Sequence, residues 1–420
     1  MRVVSADSLD FSNWLKRGDC LAWGQAGAEP LSLTRPLFAQ RHSLGGFTAF
    51  VGLCAADTMS SEYADVVRYR SYCGAGENRG LAKAGLIDIL PCHYSQMAEL
   101  LKSGQLRVDV LLLQLAPADA QGRYSLSIAH EYLIDALERA RLVIVEINER
   151  APWTYGERYL LENDIDIAVL TNRDVVKISA TTPTDIERSV ASRVAQLIED
   201  HSTLQVGIGT MPAAVMEALN GHRDLGVHTG ALTDATARLA QRGVITNASK
   251  SIDRGVTIAG VMMGSEVVYD YASQNPKVQF RSVLYTHSAA VLATLDRFVA
   301  INSALEVDLT GQINAEAIGG SYVGAVGGAL DFLRGAHSSR GGLPIVALPS
   351  IARSGNKTIS RIVARLSGPV STPRSDAGLI VTEHGVADLR GLSLSERQEK
   401  MLAISDPRFH ELLDSHRGVP

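Results

Sequence analysis

GGSYVGAVGGALDFLRGAHSSRGGLPIVALPS, residues 319–350, decides how the chain is read. Two glycine clusters, Gly324/Gly327/Gly328 and Gly341/Gly342, flank a short helix-forming piece, and the apolar run Leu343–Leu348 reads as a buried strand. Glycines this dense put backbone where no side chain fits, either as tight turns or as amides aimed at a ligand's oxygens. A second loop favours the latter. LQVGIGTMP, residues 204–212, is a short apolar strand followed by Gly207, Ile208, Gly209, Thr210 and Met211, with Pro212 set to open a helix at its first position. Strand, glycine loop and helix N-terminus make an anion site, because unsatisfied amides and the helix dipole converge there. The spacing is not GxGxxG, since Pro212 stands at the third glycine position, and no GK[ST] follows to make a P-loop.

Working outward, apolar runs rich in β-branched residues recur between helical stretches. Thr48–Cys54, Val108–Leu113, Leu142–Ile147 and Ile165–Leu170 read as strands, with helices expected over Gln96–Lys102 and Ala129–Ala140. Alternation with two-sided burial predicts a mostly parallel α/β sheet. The polar segment Ser179–Asp185 precedes a helix over 186–199 capped by Thr184 or Asp185, and the domain boundary is placed at 187. The alternation then restarts with strands expected at Leu204–Val206, Val256–Met262, Ser282–Leu284, Phe298–Ile301, Leu343–Leu348 and Gly378–Thr382. Two similar α/β domains, 1–187 and 188–420, are the expected architecture, closed by an amphipathic helix over Ser393–Ile404.

Composition narrows the function classes. The 420 residues can form two full cores, and a net charge of −5 with dispersed basic residues argues against nucleic acid as partner. No run of 18 apolar residues predicts a membrane span, and the polar N-terminus does not read as a signal peptide. Cys20, Cys54, Cys73 and Cys92 contain no CxxC pair and read as reduced thiols of a cytoplasmic protein. Cys92 and His93 are joined by no zinc spacing, so no metal is expected, and no GxSxG is present.

The segments LQVGIGTMPAAV, INSALEVDLTGQINAEAIGG, YVGAVGGALDFLRGA, LPIVALPSIA and VTEHGVADLRGLS, in this order, resemble signatures of the acetyl-CoA hydrolase/CoA-transferase family, as do RYRSY (68–72) and LLQLAPADAQGRYSLS in the first half. The family includes 4-hydroxybutyrate, butyrate and acetate CoA-transferases. The resemblance implies two CoA-transferase-like α/β domains with the active site in the interdomain cleft and coenzyme A or an acyl-CoA as substrate. Gly207–Met211 and Gly324, Gly327 and Gly328 would hold the phosphates and the pantetheine arm, and a homodimer is expected. In the family a segment of the form LGIHTE carries a glutamate that attacks the acyl-CoA carbonyl. Here the segment reads LGVHTGALTD, and Gly230 stands at the nucleophile position, with Ala231 where many relatives have Met.

Glycine has no side chain to acylate, so covalent catalysis at 230 is excluded. His228 and Thr229 flank the gap. His228 is either a general base for water or an amine, or a packed loop histidine. Glu306, in ALEVDL, is either a relocated cleft carboxylate or a half-exposed strand residue. Asp234 is expected to cap the helix through Ala240. Glu383 and His384 follow a strand at its C-terminal end, and Glu29 and Glu77 are first-domain candidates. The expected activity is acyl transfer from CoA by direct attack of an acceptor. The alternatives are exchange through a relocated carboxylate, acyl-CoA hydrolysis, or silent acyl-CoA binding.

Overall fold

A computed structural model describes residues 1–179 and 181–416; Ala180, in the polar segment, lies outside the described residues. The backbone forms two compact units. One comprises Met1–Ser179, Ala231–Asp234 and Ile258–Thr286, and the other Ala180–Gly230, Ala235–Thr257 and His287–Pro420. The chain leaves the first unit at the polar segment and returns to it twice, which hydrophobic patterning does not reveal. Pairing explains the returns: Ala231–Thr233 lies parallel to Val261–Met263, and Ala129 bridges Val261.

The first unit is built on an eight-stranded sheet. In spatial order its strands are Arg2–Val4, Ile167–Thr171, Leu142–Asn148, Val110–Leu115, Cys20–Trp23, Phe47–Val51, Val67–Ser71 and Ile87–Ile89. Every neighbouring pair is parallel. Val110–Leu115 and Leu142–Asn148 are buried at every position, as expected when helices and loops cover both faces of a parallel sheet. The helix expected over Ala129–Ala140 is only Leu133–Leu137. Glu131 (φ 26°) breaks it, and its carboxylate turns inward to accept from Gln25 Nε2 at 2.7 Å and Tyr94 Oη at 2.6 Å.

The second unit carries a six-stranded sheet ordered Gly226–Val227, Thr203–Val206, Phe298–Asn302, Leu343–Ala347, Leu379–Thr382 and Gly385–Asp388. All pairs are parallel except the last. Side chains alternate between two cores. Val299, Ile301, Ile345 and Ala347 pack with the helices Asp185–Leu197 and Thr210–Ala218, while Phe298, Ala300 and Val346 pack with Phe332 and Leu333 of the helix Ala329–Ser338. Thr184 and Glu187 form a capping box on the first of these helices, and Ser393 and Glu396 one on Leu394–Ala403.

Two expected strands are corrected. Val256–Met262 is interrupted at Gly260 into Thr257–Ala259 and Val261–Met263, and the latter pairs within the first unit. Ser282–Leu284 is the start of a helical turn, Val283–Thr286, in which the Thr286 amide and hydroxyl both donate to Ser282 O. The strand of that region is Val278–Phe280. A strand-like Ser-Val-Leu run is too short for period to separate the two outcomes.

Candidate functional site

The parallel sheet of the second unit gathers its loops at the C-terminal ends of its strands: Gly207–Thr210, His228–Gly230, Asn302, Ser350 and Glu383. Open α/β sheets bind ligands at this edge. Gly207 donates its amide to Ile301 O at 2.8 Å, and a Cβ there would stand 3.3 Å from Ile301 O and from Asn302 Oδ1. Gly209 has φ 108° and ψ 179°, a conformation that essentially only glycine adopts, and it caps Thr210–Ala218. The helix therefore starts at Thr210, two residues earlier than expected, and Pro212 falls inside its first turn, where the missing amide costs nothing. Ile208 is exposed, Thr210 is half-buried, and Met211 packs into the core.

The second glycine loop is divided in its use. A Cβ on Gly324 would lie 2.0 Å from Ala315 O, and the Gly324 amide donates to Glu316 O at 2.9 Å. That amide serves the loop's own packing, not a ligand. Gly327 has φ 56°, and Gly328 caps Ala329–Ser338. Gly341 and Gly342 form a turn, with the Gly342 amide on Ser339 O.

At Gly230 the backbone is ordinary: the residue does not have a left-handed φ. His228 donates its amide to Leu204 O at 3.0 Å, and Thr229 Oγ1 donates to Val206 O at 3.2 Å. Both residues are buried and tied to the strand beside them. What faces Gly230 is His287. A Cβ at 230 would meet His287 Cε1 at 3.2 Å and Nε2 at 3.3 Å. A Cβ at 328 would meet the same Nε2 at 2.5 Å and Cδ2 at 2.7 Å. One imidazole thus lies against both glycines. It packs on Phe332, ring centroids 4.4 Å apart, and precedes Ser288, which caps Ala289–Ala293. Burial, and after it the nearby His228, push the His287 pKa down to about 3, so the ring is neutral at ordinary pH.

The remaining candidates are supports or lie in the first unit. Glu306 is buried, and its Oε1 accepts from the Ser367 amide (2.6 Å), Ser367 Oγ (2.9 Å) and Asn314 Nδ2 (2.9 Å). Glu383 clamps two strand ends by accepting from the amide and hydroxyl of Ser350, with His384 Nε2 at 3.7 Å. Asp234 starts the helix Asp234–Gln241, but its carboxylate holds the amides of Ser265 and Val268 and the Ser265 hydroxyl, at the N-terminus of Glu266–Ala272. It caps that helix. Glu29 is buried, accepts from Thr34 and Thr58 hydroxyls, and is pushed up to about 7 by burial; Glu77 is exposed. The four cysteines are free and buried.

The chain, with its two mostly parallel α/β sheets, belongs to the acetyl-CoA hydrolase/transferase family. Residues 3–187 match the family's N-terminal domain and residues 264–416 its C-terminal domain. Homologues are named CoA-transferases and acetyl-CoA hydrolases, and this chain is a transferase acting on acyl-CoA. It is 36% identical to the 4-hydroxybutyrate coenzyme A transferase of Clostridium kluyveri over 82% of this chain and 81% of that one. It is 34% identical to the butyryl-CoA:acetate CoA-transferase of Anaerostipes caccae over 95% and 92%. The crystal structure of RipA from Yersinia pestis superposes with a TM-score of 0.93 at 30% identity, covering 99% of this chain and 96% of that one. Among the described residues no helix is long and apolar enough to cross a membrane.

Proposed function

We propose that this protein moves an acyl group from coenzyme A to a neutral acceptor, an amine, a hydroxyl or water, by direct attack and without a glutamyl-CoA intermediate. The observation that carries this reading is the surroundings of Gly230. The atoms nearest to a Cβ built there belong to a neutral imidazole and a phenyl ring. The same imidazole borders Gly328, so the nucleophile position and the cap of the second glycine loop adjoin. In this reading the CoA phosphates and pantetheine lie along Gly207–Met211 and at Gly327–Gly328. Amides at the two helix N-termini polarise the thioester oxygen as its charge develops. His228 and Thr229 shape the floor of the site from behind.

The test is CoA release from butyryl-CoA in buffer, with an added amine, with an alcohol and with acetate, beside calorimetry with CoA. Binding of CoA and release stimulated by the neutral acceptors are expected. Exchange of labelled acetate with a CoA-bearing glutamate, at 306 or elsewhere, found by mass spectrometry, overturns direct attack and restores ping-pong transfer. No binding at millimolar CoA removes the ligand assignment.

A further inference from the structure

We infer that Lys250, together with Asn247, positions the segment His228–Gly230 for acyl transfer by holding the backbone of Val227 from the open edge of the sheet. The inference rests on the reading of 228–230 as part of the CoA site. The hold itself stands on separate observations in the second unit.

Gly226–Val227 is the first strand of its sheet and pairs with Thr203–Val206 on one side. That pairing uses the amides of Gly226 and His228, which donate to Ser202 O at 2.8 Å and Leu204 O at 3.0 Å. The amide and carbonyl of Val227, one residue out of step, point the other way, off the edge. Backbone pairing on that outer side stops two residues earlier, where Leu225 donates to Val244 O and accepts from the amides of Thr246 and Asn247. Two side chains take over at Val227. Asn247 Oδ1 accepts its amide at 2.8 Å, and Lys250 Nζ donates to its carbonyl at 3.1 Å.

Both anchors are themselves fixed. Asn247 stands at φ 58°, which asparagine adopts more readily than most residues, and its Nδ2 donates to Thr257 Oγ1 at 3.0 Å. Lys250 is only 2% exposed. Its Nζ donates also to Val256 O at 2.7 Å, and its stem crosses Gly226, where a Cβ would stand 2.6 Å from Cγ. Burial pushes the amine down to about 8, against a smaller pull from Asp253. Charged or neutral, it keeps enough N–H groups for both carbonyls, so the hold does not depend on its charge. His228, Thr229 and Gly230 follow Val227 directly. With Val227 fixed at both polar groups and the His228 amide on Leu204, the direction in which the chain leaves the strand is set. Lys250 is thus a positioning residue, and a shift of about 1 Å in such a segment can lower a rate about 100-fold.

The test uses Lys250→Met, which keeps an unbranched stem and removes the donors, and Asn247→Gly, which keeps the positive φ and removes the acceptor. Asn247→Asp, which restores an acceptor for the Val227 amide, is the rescue. Amide hydrogen exchange of the full chain is read by mass spectrometry, beside calorimetry with CoA and CoA release from butyryl-CoA with hydroxylamine as acceptor. Each removal is expected to speed exchange about tenfold in peptides covering 226–231, with those of Phe298–Asn302 and Leu343–Ala347 unmoved. It should lower kcat about 10- to 100-fold with CoA affinity kept within about twofold, and Asn247→Asp should restore most of both. If Lys250→Met does not fold, Lys250→Gln, which leaves one donor, takes its place. Unchanged exchange at 226–231 overturns the hold. Faster exchange there with kcat unchanged, or faster exchange throughout the second unit, overturns the positioning role. Wild type that binds no CoA strikes the ligand assignment, and wild type that binds CoA and releases none strikes the transfer reading. The exchange comparison needs no ligand and in both cases still decides whether Lys250 and Asn247 hold 228–230.

Discussion

A Cβ at 328 would stand 2.5 Å from His287 Nε2, well inside contact distance of a buried ring, whereas one at 230 would stand 3.2 Å from Cε1. The two glycines should therefore respond differently to the same small change. Gly328→Ala is expected to cost about 1–3 kcal/mol, the range for overpacking a filled core. Gly230→Ala should cost less than about 1 kcal/mol, because the neighbour gives by only tenths of an ångström and φ is ordinary. Adding His287→Ala should relieve most of the Gly328→Ala penalty, a coupling that urea unfolding of the four-member cycle measures. Additive effects at 328 and 287 would mean the ring does not sit where the glycine leaves room. Thr229 and His228 flank the position in sequence, with the Thr229 hydroxyl on Val206 O and the His228 amide on Leu204 O.

At the scale of elements, Gly209 decides where the first glycine loop ends. Its φ of 108° lets the chain turn into Thr210–Ala218, and an alanine there is strained although nothing obstructs its side chain. Gly209→Ala should cost about 1–3 kcal/mol. It should also weaken CoA binding by moving the first helical amides; calorimetry and thermal melting on one preparation separate the two effects, and unaltered affinity would take the ligand off this loop. Elements with long apolar runs were legible in the sequence: the strands at 142, 204, 298, 343 and 379 fall within a residue or two of their expected places. Helices with paired caps, such as that after Thr184, were equally so. What failed depended on distant partners. The helix at 129–140 lost its first turns to a Glu131 drawn inward by Gln25 and Tyr94. His287 follows a misassigned strand and carries no motif, and only the three-dimensional meeting of two glycines exposes it.

For the molecule as a whole, the first unit stores titratable groups that burial has moved, and their signs can be worked out together. Glu29 and Glu131 are both pushed from 4.5 up to about 7 by burial, against hydrogen bonds from Thr58 and Thr34 to one and from Tyr94 and Gln25 to the other. Between pH 4.5 and 7 the folded state keeps a proton at each that the unfolded chain has released, so stability falls as pH rises. His130, pushed by burial from 6.5 down to about 3, acts the other way: between pH 3 and 6.5 the unfolded chain holds the extra proton, and stability rises with pH. From pH 4.5 to 6.5 two losses oppose one gain, so stability falls with pH by the equivalent of one titrating group. Above 6.5 only the losses remain until both carboxyls are ionised near 7, and below 4.5 only the gain. The first unit should therefore be most stable near pH 4.5–5 and distinctly weaker at pH 7.5. Glu131→Gln keeps a side chain of the same shape and removes one of the two losses, which leaves one loss against one gain. Its stability should be nearly flat from pH 4.5 to 6.5, where wild type declines. Urea unfolding at half-unit pH steps, read from the tryptophans Trp14, Trp23 and Trp153, which all lie in this unit, makes the comparison. Parallel pH profiles for wild type and Glu131→Gln would show that this carboxyl is already ionised in the folded protein at pH 5, and that the buried cluster of Gln25, Tyr72, Tyr94 and Glu131 accommodates a charge.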